Sequence, residues 1–227
     1  MKKLIVLMSV MLSVTVMKAQ NLNDTKSLKP RFSIDLGPTL SKWGGEDYGG
    51  DFEYKLGYHI GGKVRFPVNN RVWIEPGLSL STKGAKYSES ESGTMFGYSY
   101  SFSDEFKITS TYIDLPVLFR YYLDNGINFY GGPQVSFLLS NNLKFESTEC
   151  FDGICDSYKE EESSTEGYKD VDLSLQLGLA YQLKSGLNLS MGYGFGVLSI
   201  DEDGDAGGPF NRQFKFSIEY ELNLGGQ

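Results

Sequence analysis

Beyond residue 20 the chain has no apolar stretch approaching 18 residues, so it lacks a helical membrane span, which needs about 20. It has no cluster of lysine and arginine. Phosphate backbones are bound by such clusters, so nucleic acid is excluded as a partner. Histidine occurs once, at His59, and cysteine twice, at Cys150 and Cys155. A zinc centre needs further soft or imidazole ligands, so neither a zinc site nor any cofactor is expected.

What is present begins with Lys2 and Lys3, an apolar run over residues 4–16, and the small residue Ala19. This is the pattern of a cleavable secretory signal over residues 1–19. No cysteine stands directly after Ala19, which argues against a lipid-modified N-terminus. Loss of Lys2, Lys3 and Lys18 with no acid moves the net charge from −8 to −11, so the exported chain is acidic. Residues 20–30 read as a short periplasmic lead, and residues 31–227 suit one domain.

That domain alternates with period two. In the last run Phe214, Phe216, Ile218, Tyr220, Leu222 and Leu224 oppose Gln213, Lys215, Ser217, Glu219, Glu221 and Asn223. From Val171, seven apolar residues ending at Leu183 oppose Asp172, Ser174, Gln176, Gly178, Ala180, Gln182 and Lys184. From Leu187 the second face is Asn188, Ser190, Gly192, Gly194 and Gly196. Five further runs, around Ile34, Ile60, Ile74, Leu115 and Val135, make eight strands. Pro38, Pro76, Pro116 and Pro133 fall inside runs and predict bulges or barrel ends there, because proline removes a ladder donor. Soluble strands cluster at about 5 to 6 residues, whereas these runs continue for roughly 10 to 13, close to the 9 to 11 of a tilted membrane strand.

The connections sort in the same direction. Short ones at residues 67–70, 124–126 and 185–186 follow even-numbered strands, and long ones at 42–53, 87–105, 141–168 and 199–211 follow odd-numbered strands. Short periplasmic turns and long external loops are the pattern of outer-membrane barrels. The fold predicted is all-β: an eight-stranded antiparallel up-and-down transmembrane barrel. A soluble lipocalin-like barrel or a sandwich shares the alternation, and a soluble periplasmic ligand-binding barrel is the corresponding functional alternative. Phe32, Phe66, Tyr121, Phe129, Tyr181 and Tyr220 gather at the short-turn end, where an interfacial aromatic girdle is expected.

The segments YIDLPVLFRY at residues 112–121 and GGPQVSFLLS at 131–140, with Tyr58-His59-Ile60-Gly61-Gly62, resemble the PorT-like outer-membrane β-barrel family of Bacteroidota. The resemblance implies a barrel, and an accessory role in a protein-secretion or gliding assembly. The C-terminus, Leu224-Gly225-Gly226-Gln227, departs from the terminal phenylalanine of many proteobacterial barrels.

An eight-stranded barrel has an interior just wide enough for side chains to fill. Asp35, Glu75, Asp114, Asp172, Glu219 and Glu221 are therefore expected to meet His59, Lys63, Arg65, Arg120, Lys184 and Lys215 in the lumen, since buried charges must pair. A small lipid-modifying enzyme centred on His59 is an alternative, although nothing in the sequence positions a nucleophile or an oxyanion hole. Cys150 and Cys155, in ECFDGIC, are expected to form a disulfide in an exported protein. Their loop carries eight acids against two lysines between residues 141 and 168 and reads as a solvated, mobile segment. Asp201, Asp203 and Asp205 are weak candidates for a hard cation, because the spacing departs from a calcium loop at Ala206 and Arg212. The function read from these residues is a non-enzymatic barrel whose filled lumen supports acidic external loops. Its partners would be outer-membrane lipid and a protein or surface polymer.

Overall fold

The computed structural model describes residues 29–45, 52–183, 185–202 and 208–222. The signal at residues 1–19, Lys184, Asp203, Asp205 and Leu224 lie outside the described residues. The described residues form nine strands: β1 Arg31–Gly44, β2 Lys55–Pro67, β3 Val72–Met95, β4 Tyr98–Tyr122, β5 Ile127–Phe151, β6 Ile154–Ser163, β7 Val171–Gln182, β8 Leu187–Gly196 and β9 Phe210–Leu222. All pairings are antiparallel. β1 pairs with both β2 and β9, and β4 pairs with β5, so eight strands close into a ring with β6 attached outside it along β5. Closure removes the open sheet edges that hydrocarbon does not tolerate.

Which face is wet decides between a soluble and a membrane barrel. Ile34, Leu36, Leu56, Ile60, Leu78 and Leu177 face outward and are exposed, Leu56 at 69%, while Asp35, His59, Arg65, Glu75, Asp114 and Arg120 are buried. A soluble barrel has the opposite arrangement. An apolar belt around a polar lumen is the transmembrane form, with short periplasmic turns and long extracellular connections. Of the six predicted girdle residues, Phe32, Tyr121, Phe129, Tyr181 and Tyr220 are exposed at the short-turn end, and Phe66 is half-buried.

Three expectations are corrected. The acidic stretch from residue 141 is not a mobile loop: it is the outer half of β5 paired with β6, from Asn142↔Ser163 to Phe151↔Ile154. The connection at 87–105 is likewise a hairpin, paired continuously to Met95↔Tyr98. Composition misled here because these extensions are wet on both faces, so apolar alternation is not needed; cross-strand hydrogen bonds hold them. There are accordingly nine strands, eight of which form the wall. Finally, the prolines do not make bulges or barrel ends. Pairing skips Gly37 and Pro38 between β1 and β9, Glu75 and Pro76 between β2 and β3, Gly77 and Leu78 opposite Pro116 and Leu115 between β3 and β4, and Gly132 and Pro133 between β4 and β5. Register is unchanged across each gap, as expected when a missing N–H removes a rung but the strand runs on. The one register shift in the wall, on β4 and β5, lies between Thr111 and Tyr112.

Candidate functional site

Alternation sends every second side chain of each wall strand into the lumen, and the register then decides which of them meet. At the periplasmic end Arg65 pairs with Glu75, Glu219 and Glu221. Arg120 reaches Glu75 at 2.7 Å and Glu219 at 3.5 Å, and its guanidinium carbon lies 4.9 Å from the centre of the Tyr130 ring. One level up, Lys63 lies 3.2 Å from Asp35 and 3.6 Å from Glu219. Above this, Asp114 receives Lys215 at 3.0 Å, Ser81 at 2.7 Å and Ser136 at 2.7 Å. Highest of all, Lys83 donates to Asp172 and to Ser136 at 2.9 Å, while Asn211 also donates to Asp172 at 2.9 Å. Tyr130 has room because Gly178 and Gly192 lie against it: a Cβ on either would come within 2.4 Å of its ring or hydroxyl.

The extracellular end of the lumen is closed by an apolar lid. Trp43, Ala85, Ile108 and Ile200 are buried together, with Phe52, Phe106, Leu143 and Tyr168 packed against them. The Trp43 ring lies 5.2 Å from Phe52 and 6.3 Å from Tyr168. Crossed ion pairs thus lie below and a packed aromatic plug above.

The structure therefore brings Asp35, His59, Lys63, Arg65, Glu75, Arg120, Glu219 and Glu221 into one lumen cluster, and Asp114, Asp172 and Lys215 into a second above it. Sequence reasoning missed Lys83, although it has the same parity as Glu75, because the third run was ended at Leu80. It also missed the lid, whose members come from β1, β3, β4 and the last long connection and share no local pattern. Asp201 is bridged to Tyr168, and among the described residues no cluster of three or more potential metal ligands occurs.

His59 is 3% exposed. Ser217 Oγ lies 2.9 Å from its Nε2, and Asp35 lies 3.4 Å from the same nitrogen. A Ser-His-Asp relay needs the acid on one ring nitrogen and the serine on the other. Here both converge on Nε2, so the imidazole serves as a shared lumen contact.

Outside the membrane, β3, β4, β5 and β6 continue as one sheet. Tyr98 and Phe151 stack 5.6 Å apart, and the Asp152 amide donates to the Ser99 carbonyl at 2.8 Å, tying the two hairpin tips together. Both tips are two-residue turns with positive φ, Phe96-Gly97 at 52° and 88° and Asp152-Gly153 at 48° and 82°, the pattern of hairpin turns that match strand twist. Asp-Gly suits this backbone, whereas a phenylalanine there is strained, and Phe96 is 94% exposed. Cys150 and Cys155 face each other across β5 and β6 and form the disulfide. Lys159 lies 3.0 Å from Glu146, and Lys144 pairs with Glu161. At the base of the sheet Lys86 donates to Glu105 at 2.7 Å. That contact holds the Glu105 carboxyl below the usual carboxylate range and raises Lys86.

Residues 9–202 match the family model described as outer membrane protein beta-barrel domain. No curated protein matches the chain. Among solved structures, Ail, the attachment invasion locus protein of Yersinia pestis, in complex with the heparin analogue sucrose octasulfate, is 15% identical, with 86% of this chain and 100% of that chain covered and a TM-score of 0.41. Neisserial surface protein A is 11% identical over 85% of this chain and 97% of its own, with a TM-score of 0.39. The translocator domain of the autotransporter NalP from Neisseria meningitidis is 12% identical over 95% of each chain, with a TM-score of 0.28.

Proposed function

For a chain that belongs to the outer membrane protein beta-barrel domain family, we propose a non-enzymatic display scaffold whose acidic external sheet engages a basic partner at the cell surface. The carrying observation is the pair of hairpins beyond the wall: long strands paired to their tips, tied together, and rich in exposed carboxylates. A rigid wall that presents a distinctive external element is where binding function sits in such folds. The filled lumen favours display over transport, and the convergence of Ser217 and Asp35 on one nitrogen of His59 favours binding over hydrolysis.

The sign of the charge selects the partner. Glu160, Glu161 and Glu162 stand on β6, which is exposed along its whole length, so a cationic polypeptide is attracted and a sulfated polymer is repelled. The test is binding of oligolysine and of heparin to the protein in nanodiscs. Oligolysine binding is expected to weaken with salt and in the triple variant Glu160→Gln, Glu161→Gln, Glu162→Gln, with no heparin binding. Equal oligolysine binding by the triple variant, or preference for heparin, sinks the reading.

A finer family assignment, PorT-like, rests on the segments at residues 112–121 and 131–140, which lie on the paired strands β4 and β5. It predicts a specific co-purifying membrane partner, and loss of a secreted protein on deletion. Secretion that is unchanged in the deletion strain counts against it.

A further inference from the structure

The outward face of the barrel is apolar over most of its height. At the periplasmic rim of the lumen Arg31 lies 3.4 Å from Glu221, and in the turns there Arg71 lies 2.9 Å from Asp124. Towards the extracellular end the outward face of β1 and β9 carries Lys42 and Arg212. They are direct cross-strand partners in the β1–β9 ladder, and among the described residues neither has a carboxylate within salt-bridge distance.

The register around them builds a consistent surface. Phe195 of β8 pairs with Arg212 of β9, which pairs with Lys42 of β1, and Lys42 Nζ lies 5.3 Å from the centre of the Tyr54 ring. The next row towards the membrane middle is Tyr193, Phe214, Leu40 and Leu56, paired in that order. Phe214 stacks between Tyr193 at 4.7 Å and Tyr54 at 5.8 Å. A cationic row flanked by aromatics thus sits immediately above an apolar one.

Arg212 is also held in place. Its Nη1 donates to the Gly196 carbonyl at 2.7 Å and to the Asn211 carbonyl at 3.2 Å. Its guanidinium carbon lies 3.9 Å from the centre of the Phe195 ring. Its stem crosses Gly44, where a Cβ would come within 3.1 Å of Arg212 Cγ. The remaining guanidinium donors are available in a fixed orientation, which suits a phosphoryl group better than a mobile lysine alone.

We propose that Lys42 and Arg212 bind the phosphoryl group of an outer-leaflet lipid, whose acyl chains lie on the row formed by Tyr193, Phe214, Leu40 and Leu56. Cations at the level of lipid head groups attract anionic lipid, and aromatic rings settle at the same depth. The site takes an amphiphile because its two halves differ in character: charge above, hydrocarbon below.

The test uses the full-length protein folded in a detergent with an uncharged head group. It is titrated with diphosphorylated lipid A, with the same lipid stripped of its phosphates, and with inorganic phosphate, and bound species are counted by native mass spectrometry. The phosphorylated lipid is expected to bind where the stripped lipid and inorganic phosphate do not. Lys42→Gln and Arg212→Gln are each expected to weaken binding about fivefold, and together about thirtyfold, from the usual contribution of one cation near a lipid surface. Lys159→Gln, on the external sheet, serves as a neutral control. Equal binding of stripped lipid, or unchanged affinity in the folded double variant, overturns the proposal. Inorganic phosphate that binds as tightly as the lipid removes the lipid from the site. The comparison of the three ligands needs no variant, so a substitution that fails to fold leaves the proposal open to refutation.

Discussion

Replacing Glu75 by glutamine tests whether the lumen charges hold the barrel together. Glu75 is 0% exposed and touches two guanidiniums, Arg65 and Arg120, each with a side chain 1% exposed. The amide is nearly isosteric, so no cavity term enters, and the change removes one negative charge while both cations remain buried. Breaking a buried pair by removing one partner costs about 3–5 kcal/mol. Glu219 and Glu221 still face Arg65, which places the expected loss near the lower end, about 3 kcal/mol. The control is Glu146→Gln: its partner Lys159 lies 3.0 Å away, but the side chains are 49% and 68% exposed, and such pairs contribute about 0–1 kcal/mol. The assay is urea unfolding in phosphatidylcholine vesicles, followed by the fluorescence of Trp43 and Trp73, both buried, and by the mobility of unboiled samples on a denaturing gel. Adding Arg120→Met to Glu75→Gln removes an uncompensated cation, so the double variant should be less unstable than the sum of the two singles by about 1–3 kcal/mol. A Glu75→Gln loss no larger than the Glu146→Gln control, or strict additivity in the double variant, refutes the argument that these charges act as a buried network.

Three other outcomes follow from the same structure. Trp43→Ala removes the centre of the lid and should cost about 3–5 kcal/mol in the same urea assay, while planar-bilayer recordings remain silent because the ion pairs below still fill the lumen. Gly192→Val places a side chain where the Tyr130 hydroxyl lies; it should destabilise by about 1–3 kcal/mol from overpacking, and a substitution without effect would show that Tyr130 does not occupy that space. Cys150→Ser opens the disulfide of a short loop, worth about 2 kcal/mol in the chain-entropy description, so amide exchange should speed up at residues 146–160 and stay unchanged in β7, β8 and β9.

Strand identity and facing were legible because they are local. Period two assigns each side chain of a strand to one face, so Glu219 on β9 and Asp172 on β7 could be placed in the lumen before any pairing was known. The lipid face was readable for the same reason: Ile34, Leu36 and Ile60 are apolar on the side away from Asp35 and His59. The external hairpins were not legible. Ser88-Glu89-Ser90-Glu91-Ser92 on β3 is wet on both faces, and a strand with no buried side leaves no apolar rhythm to read.

Alternation and desolvation act on each strand separately, so the order of residues is enough to specify long amphipathic strands, acidic external segments and charges that must pair within a narrow interior. Tertiary structure alone decided that Arg65 and Arg120 share Glu75, that Ser217 and Asp35 meet on the same nitrogen of His59, that Trp43 caps the lumen, and that Lys42 stands beside Arg212 on the outer wall. Each of these depends on the register between strands far apart in sequence, and register is set jointly by the whole closed ring.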